Sequence, residues 1–498
     1  MGLRRNVVAN YLGAGWNALM NVAFVSAYIH HLGPAGYGLI GVFTLLLGLM
    51  ALLDLGMAPT VSRELARLGV ADPGGSDARV LLRGVEGVAL SLACFVALAI
   101  VLASPWLAVH WLNARGLDPT DVTFALRIMG LLVGMRFLEN VYRSALIGLQ
   151  RQVLLNTVLA VSGTFRNAGA FVVVAWIAPD VRAFFLWQLI AGAATVVAFA
   201  LAVYAAMRGH ARVRRFTLAP IKATWRFALG TMAVASLSIV LGNLDKILLT
   251  RLLSLEAFGY YALAVVVAQA PLGLITPIAQ AFYPRFIQLH AATDDRLADL
   301  YHAATQGVAI LIGTATAFLV LLGRPVLALW LHNPVTVDHV VGLVSVLAMG
   351  SMLNGLMTLP YFLQLSAGWT RLTIRVNLVA VVLVVPTLAL LVPIYGGLAA
   401  AWIWFALNAG YILIAVPLMH RRLLPTELRR WYISDVLPPL LASSLVGACW
   451  RWLALPLVSG WAGWTLLTFE GCVMLAAAAL ASPLGRQAVI QWRTRGRP

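Results

Sequence analysis

The feature that most constrains this chain is a recurring apolar run of about 20 residues, the length a helix needs to cross a bilayer. One such run, LLRGVEGVALSLACFVALAIVLASPW from Leu81, carries its charged residues, Arg83 and Glu86, at its amino end. The runs do not alternate apolar with polar residues, as the strands of a membrane barrel do. Inside lipid every backbone N–H and C=O must find a partner within the protein, so these runs predict helices. Composition agrees: 61% of the 498 residues are hydrophobic and 11% are charged, whereas a soluble domain carries roughly 25% charged residues. The expected fold class is all-α, a polytopic membrane protein of about fourteen spans. They lie near 7–29, 36–57, 82–104, 122–146, 153–178, 181–206, 227–251, 257–282, 302–326, 338–363, 373–393, 396–418, 433–455 and 461–482.

The connections between these runs are short. The largest, 58–81, 105–121, 207–226, 283–301 and 419–432, leave no room for a separate soluble domain. With the N-terminus placed in the cytoplasm, most of the 35 lysines and arginines fall on the inner side, and Arg115, Arg182, Arg251, Arg324 and Arg451 fall outside. That asymmetry follows the positive-inside rule, and one missed helix would invert everything after it. Both termini are therefore expected in the cytoplasm. The formal net charge of +17 would suggest nucleic acid in a soluble protein. Here basic loops that orient helices explain it, and no nucleic-acid partner is expected. The Arg4-Arg5 start leads into a run too long for a signal peptide, so the first helix is expected to be retained. Cys94, Cys449 and Cys472 lie in apolar runs without metal-ligand spacing and read as small buried hydrophobes.

An internal echo suggests two halves. GPAGYGLIGV from Gly33 and SLEAFGYYALAV from Ser254 each open the second helix of a half, with Gly38 and Gly259 in register at an offset of 221. SALIGLQRQVLLNTV from Ser144 and YFLQLSAGWTRLTIRVN from Tyr361 form a second pair. Six helices followed by six in the same orientation give a parallel repeat about an axis along the membrane normal. The expected organisation is a first lobe over 1–206, a cytoplasmic linker over 207–226, a second lobe over 227–418, and two extra helices with a basic tail over 419–498. Pro271, Pro277, Pro360 and Pro386 are expected to kink their helices.

The polar residues inside these spans carry the chemistry. Arg127, Arg136, Arg143, Arg166 and Lys246 fall within predicted helices, where a central charge costs at least ~2.5 kcal/mol. In the fourth span Arg136, Glu139 and Arg143 are spaced i, i+3, i+7 and share one face. Two readings stand: an ion-pair network that locks helix packing, and a functional basic face. Arg166 has no acid in its own helix and points to a solvated cavity. Arginine cannot shed its proton, and its planar fork suits phosphate. Asn10, Asn17 and Asn21 share a face of the first span beside Trp16, either for bonds between helices or for a polar ligand. Asp54 and Glu86 lie near the inner ends of adjacent spans; with Arg63, Arg67, Arg79 and Arg83 close in sequence, and Glu64 beside Arg63, Asp54 reads as a cytoplasmic salt-bridge latch rather than a proton or sodium site. Asp245 adjoins Lys246, and Glu470 stands alone in the last span.

Several function classes are excluded. No GxxxxGK[ST] loop occurs, and GPAGYG lacks the spacing of a dinucleotide loop. No HExxH or paired CxxC suggests a metal, and no cofactor, metal or catalytic residue is expected.

RRNVVANYLGAGWNALMNVAFVSAYIHHLGPAGYGLIGVF, the following LLDLGMAPTVSRELARL, and GLQRQ at Gly148 resemble the Wzx-type polysaccharide-biosynthesis flippases. That family is part of the exporter superfamily that includes multidrug and toxin extrusion transporters and lipid II flippases. The resemblance is strongest over 3–155 and extends by topology to about residue 420. It implies two six-helix lobes around a central cavity and alternating access. It implies a substrate of oligosaccharide joined by pyrophosphate to a polyprenol, moved from the inner to the outer leaflet of the bacterial inner membrane. The family is usually described with twelve helices, so a further pair is a departure. On this reading Arg136, Arg143, Arg166 and Lys246 attract the pyrophosphate, and Asn17 and Asn21 bind sugar hydroxyls. Asp54, Arg63, Glu64, Glu86, Glu139 and Asp245 are gate or ion-pair candidates. The implied partners are membrane lipid, the lipid-linked glycan and other polysaccharide-assembly proteins. The alternatives are a cation-coupled multidrug exporter of the same fold, a membrane glycan polymerase or ligase, and a non-transporting subunit.

Overall fold

A computed structural model describes residues 13, 15–16, 19–50, 52, 57–71, 76–114, 116–207, 239–453 and 460–487. The described residues are helical, with one isolated bridge, Asn113 to Ser254, in place of any strand. In chain order the helices are α1 (Val25–Met50), α2 (Met57–Ala71), α3 (Ser76–Trp106), α4 (Pro119–Gly148), α5 (Gln152–Val172) and α6 (Val181–Ala206). They continue with α7 (239–252), α8 (Leu255–Gln269), α9 (Leu272–Ala291), α10 (Arg296–Leu331), α11 (Pro334–Ser366) and α12 (Arg371–Tyr395). The last three are α13 (Gly397–Leu423), α14 (Leu428–Trp452) and α15 (Gly460–Ala481). Among the described residues, ten single helices and one bent pair are long and apolar enough to cross a membrane. The chain is a multi-pass membrane protein.

Local chemistry sets the helix ends. The Asp118 carboxylate accepts from Thr120 N at 2.8 Å, with Pro119 in the first turn of α4. Asp180 accepts from Ala183 N at 2.7 Å to start α6, and Asn333 accepts from Thr336 N at 3.1 Å to start α11. Such caps satisfy backbone donors that have no partner inside the helix. Gly33, at φ 70° and ψ 171°, breaks α1 into two helices at the GPAGYG turn. α8 and α9 meet at 42° beside Pro271, whereas Pro360 and Pro386 sit inside continuous helices. The segment read as a connection over 58–81 contains α2. Its Val61 and Leu65 bury against Leu82 and Leu146, so amphipathicity holds as helix a stretch whose charges suggested a loop.

The chain divides into two compact units after Gly259, Met1–Gly259 and Tyr260–Pro498. The expected linker at 207–226 lies, apart from Met207, outside the described residues. The first unit's core gathers α2, α3, α4 and α6 around Leu65, Leu82, Ala145 and Phe199. The second gathers α9, α10, α11, α13 and α14 around Phe286, Tyr301, Leu363 and Trp431. Cys94, Cys449 and Cys472 are exposed rather than buried. Helices with an apolar solvent need not hide their hydrophobes, so an apolar run does not say which side chains face inward.

Two glycine contacts position the first unit. α4 carries Gly130 and Gly134, and a Cβ at Gly134 would stand 2.9 Å from Ala93 O of α3. This small-residue face lets α3 lie close to α4 and leaves the other face of α4 for polar groups. The two halves of the glycine echo also meet. A Cβ at Gly38 would lie 2.2 Å from Leu255 O, and one at Gly259 would lie 2.0 Å from Pro34 O. Leu255 N donates to Asn113 O at 2.9 Å beside them. Each copy of the motif supplies a glycine to this backbone-to-backbone contact. Gly134→Val should force α3 away from α4 and destabilise the protein by about 1–3 kcal/mol, read as a lower thermal midpoint in detergent.

Candidate functional site

The polar face of α4 is built around one carboxylate. Arg136 Nη1 donates to Glu139 Oε2 at 2.5 Å, and Arg143 Nη1 stands 3.9 Å from Glu139 Oε1. Glu139 is buried, while both arginines keep part of their surface exposed. The i, i+3 and i, i+4 spacing brings both guanidiniums onto the same acid from opposite sides.

Arg166 joins them from α5. Arg136, Glu139, Arg143 and Tyr28 all act on it electrostatically. Among the described residues its guanidinium has no hydrogen-bond or ion-pair partner. Its backbone is fixed instead: Trp187 Nε1 of α6 donates to Arg166 O at 3.2 Å, and Gly169 leaves room for the indole. The chain before α5 covers the same level. Trp16 Nε1 donates to Thr164 Oγ1 at 2.8 Å, and Tyr28 OH donates to Asn167 O at 2.8 Å. Two guanidiniums thus share one carboxylate and a third feels it without pairing, an excess of two positive charges that no change of pH removes. Guanidinium forks pair bidentately with carboxylate and phosphate oxygens, so the arrangement suits a multiply charged anion.

The other sequence candidates fall elsewhere. Lys246 of α7 donates to Gly242 O of its own helix at 3.3 Å, and Asp245 precedes it on α7. Asn21 is exposed, and Arg127 is exposed on α4. Asn10, Asn17 and Asp54 lie outside the described residues. Glu64 pairs with Arg67 at 3.0 Å along α2, beside Arg63. Glu86 accepts from Tyr204 OH at 2.9 and 2.8 Å, so a phenol of α6 holds it. Glu470 is buried on α15 with neither carboxylate oxygen hydrogen-bonded among the described residues.

A second polar cluster lies in the second unit, where the sequence drew no attention. His302 of α10 contacts Asp435 Oδ2 of α14 through Nδ1, and Glu427 Oε2 through Nε2 at 2.8 Å. Gln306 Nε2 donates to Asp435 Oδ1 at 2.8 Å, and Gln306 Oε1 accepts from Leu484 N at 2.8 Å. His302 and Gln306 are four apart on one helix and Asp435 is eight beyond Glu427, so facing spacings were the available signal. Each residue sits near a span end, where polar groups are ordinary.

The shared acid makes a testable prediction. Glu139→Gln leaves Arg136 and Arg143 without a counter-charge and should cost about 2–4 kcal/mol, below the range for a fully buried pair because both arginines are partly exposed. Adding Arg136→Met to the Glu139→Gln protein should recover part of that loss. Thermal unfolding of the single and double variants in detergent measures both.

Comparison with known proteins follows the same lines. A family model described as "Polysaccharide biosynthesis protein" matches residues 3–290. A "Putative O-antigen transporter" from Shigella flexneri is 22% identical over 419 residues, covering 81% of this chain and 94% of that one. A lipid II flippase, MurJ, in an inward closed conformation superposes with a TM-score of 0.67 at 11% identity, covering 99% of both chains. An inward-facing multidrug resistance MATE family transporter of the MOP superfamily gives 0.66 at 15% identity, covering 82% of this chain and 96% of that one. A MOP superfamily transporter from Pyrococcus furiosus, titled for the reverse polarity of its binding pocket, gives 0.51 at 16% identity, covering 85% and 94%. These structures share the fold, and the matched sequence shows that the chain belongs to the polysaccharide biosynthesis protein family.

Proposed function

We propose that this protein is a flippase that moves a polyprenyl-pyrophosphate-linked oligosaccharide from the cytoplasmic to the outer leaflet of the bacterial inner membrane. It acts by exposing its site alternately to the two faces, with both termini in the cytoplasm and lobes over 1–206 and 227–418. The observation that carries this reading is the charge excess of Arg136, Arg143 and Arg166 over Glu139. A pyrophosphate diester carries two negative charges at neutral pH, which matches that excess and neutralises it without any proton transfer. Family membership and the O-antigen and lipid II names of its relatives support the same substrate class.

A multidrug exporter of the same fold is the second reading, favoured by the MATE neighbour. The sign of the site opposes it: cationic drugs need acids, and here cations outnumber them.

Complementation of a flippase-null bacterium separates the two. Arg166→Gln should lower surface glycan about tenfold or more, the effect of losing a charged hydrogen bond, at unchanged protein level. Arg127→Gln, exposed on the same α4, should leave surface glycan unchanged. Full surface glycan in a well-expressed Arg136→Gln/Arg166→Gln variant contradicts the assignment.

A further inference from the structure

His302 is clamped between two carboxylates on opposite ring nitrogens. A neutral imidazole has one N–H and one bare lone pair. Whichever nitrogen is bare would face a carboxylate oxygen, lone pair against lone pair. One further proton removes that conflict. His302 and Asp435 are fully buried, so water does not relieve the conflict on the Nδ1 side, whereas Glu427 on the Nε2 side is partly exposed. The carboxylates do not converge on a common point, and the described residues contain no metal-binding group of His, Cys, Asp and Glu.

We propose that the His302–Asp435–Glu427 cluster is a proton-binding site, and that its bound proton docks α14 onto α10. The step is a plain protonation: hydronium gives a proton to a ring nitrogen of His302, its O–H bond breaks, water is left, and no other bond changes. It goes beyond glycan transport and does not rest on it.

The surrounding charges support a cluster that is balanced only when protonated. Arg430 of α14 stands 3.6 Å from Glu427 Oε2 and 3.3 Å from Asp299 Oδ1 of α10, where Asp299 is mostly exposed. Thr426 Oγ1 donates to Glu427 Oε1 at 3.3 Å. Tyr301 from α10, Tyr432 from α14 and His420 from α13 complete the titratable groups around it. His420 Nδ1 is engaged with Val416 O at 2.9 Å, and its Nε2 has no partner among the described residues. With the proton, imidazolium and Arg430 balance Asp435 and Glu427. Without it, a negative charge is left buried at the α10–α14 contact, an unfavourable state in a low dielectric. The proton belongs to the group as a whole. Gln306 extends the clamp, because it joins Asp435 to Leu484 N just beyond α15. The last two helices, which lie outside the six-plus-six repeat, are thereby tied to α10 through this site.

Thermal unfolding of the purified full chain in detergent, scanned from about pH 5 to about pH 9, spans imidazole titration and tests the proposal. A proton held only in the folded state adds stability at low pH that is lost as pH rises. The wild-type midpoint should therefore fall with rising pH through a one-proton step, and His302→Gln and Asp435→Asn should abolish that step. Glu427 is partly exposed, so Glu427→Gln is the milder variant if those two do not purify folded. It removes one of the two carboxylates and should flatten the pH dependence of the midpoint. Variants that lower the midpoint equally at every pH, with the wild-type step intact, would show a structural clamp and overturn the proposal. Transport is not read, so a failed glycan assay and a failed pH scan are separate outcomes.

Discussion

Arginine stays charged wherever the fold puts it, and that constraint shapes the first unit. Glu139 answers Arg136 and Arg143 together, with one carboxylate oxygen turned to each. To hold that arrangement, α4 needs two different faces. The Gly130 and Gly134 face takes the backbone of α3, and the opposite side keeps the acid buried beside two arginines that stay partly exposed. Arg166 is then placed by its backbone, through Trp187 and the Gly169 notch, rather than by any acid of its own. A cation held by packing alone is free to meet an anion that arrives from outside.

The two units handle charge in opposite ways. The first sets arginines, which keep their charge, around one shared acid. The second buries a histidine between acids, a cluster whose balance depends on one proton. A transporter of an anionic lipid-linked glycan needs the first property at its binding site. The second property suits an element whose docking changes.

The helices were legible because a span must be long and apolar, a requirement composition alone displays. The predicted 122–146 and 181–206 lie on α4 and α6, and the predicted break at GPAGYG is the Gly33 turn. Spans 7–29 and 227–251 fall partly outside the described residues. α2 was read as a connection because Arg63, Glu64 and Arg67 dominate its composition, although its burial depends on Val61 and Leu65. The α4 triad was legible because its three members share one helix. Arg166 could be singled out, but its approach to that triad is tertiary and left no mark on spacing. His302 and Asp435 lie 133 residues apart, each near a helix end where a polar residue needs no explanation. The glycine echo was visible as a repeat, but that its two copies touch was not.

The central claim is that fixed cations on α4 and α5 read the pyrophosphate of a lipid-linked glycan. Leaflet transfer in proteoliposomes tests it most directly, by comparing the pyrophosphate-linked glycan lipid with the same glycan on a neutral polyprenyl ether. The account predicts transfer of the pyrophosphate form and none of the neutral form above protein-free vesicles. Equal transfer of both would contradict it.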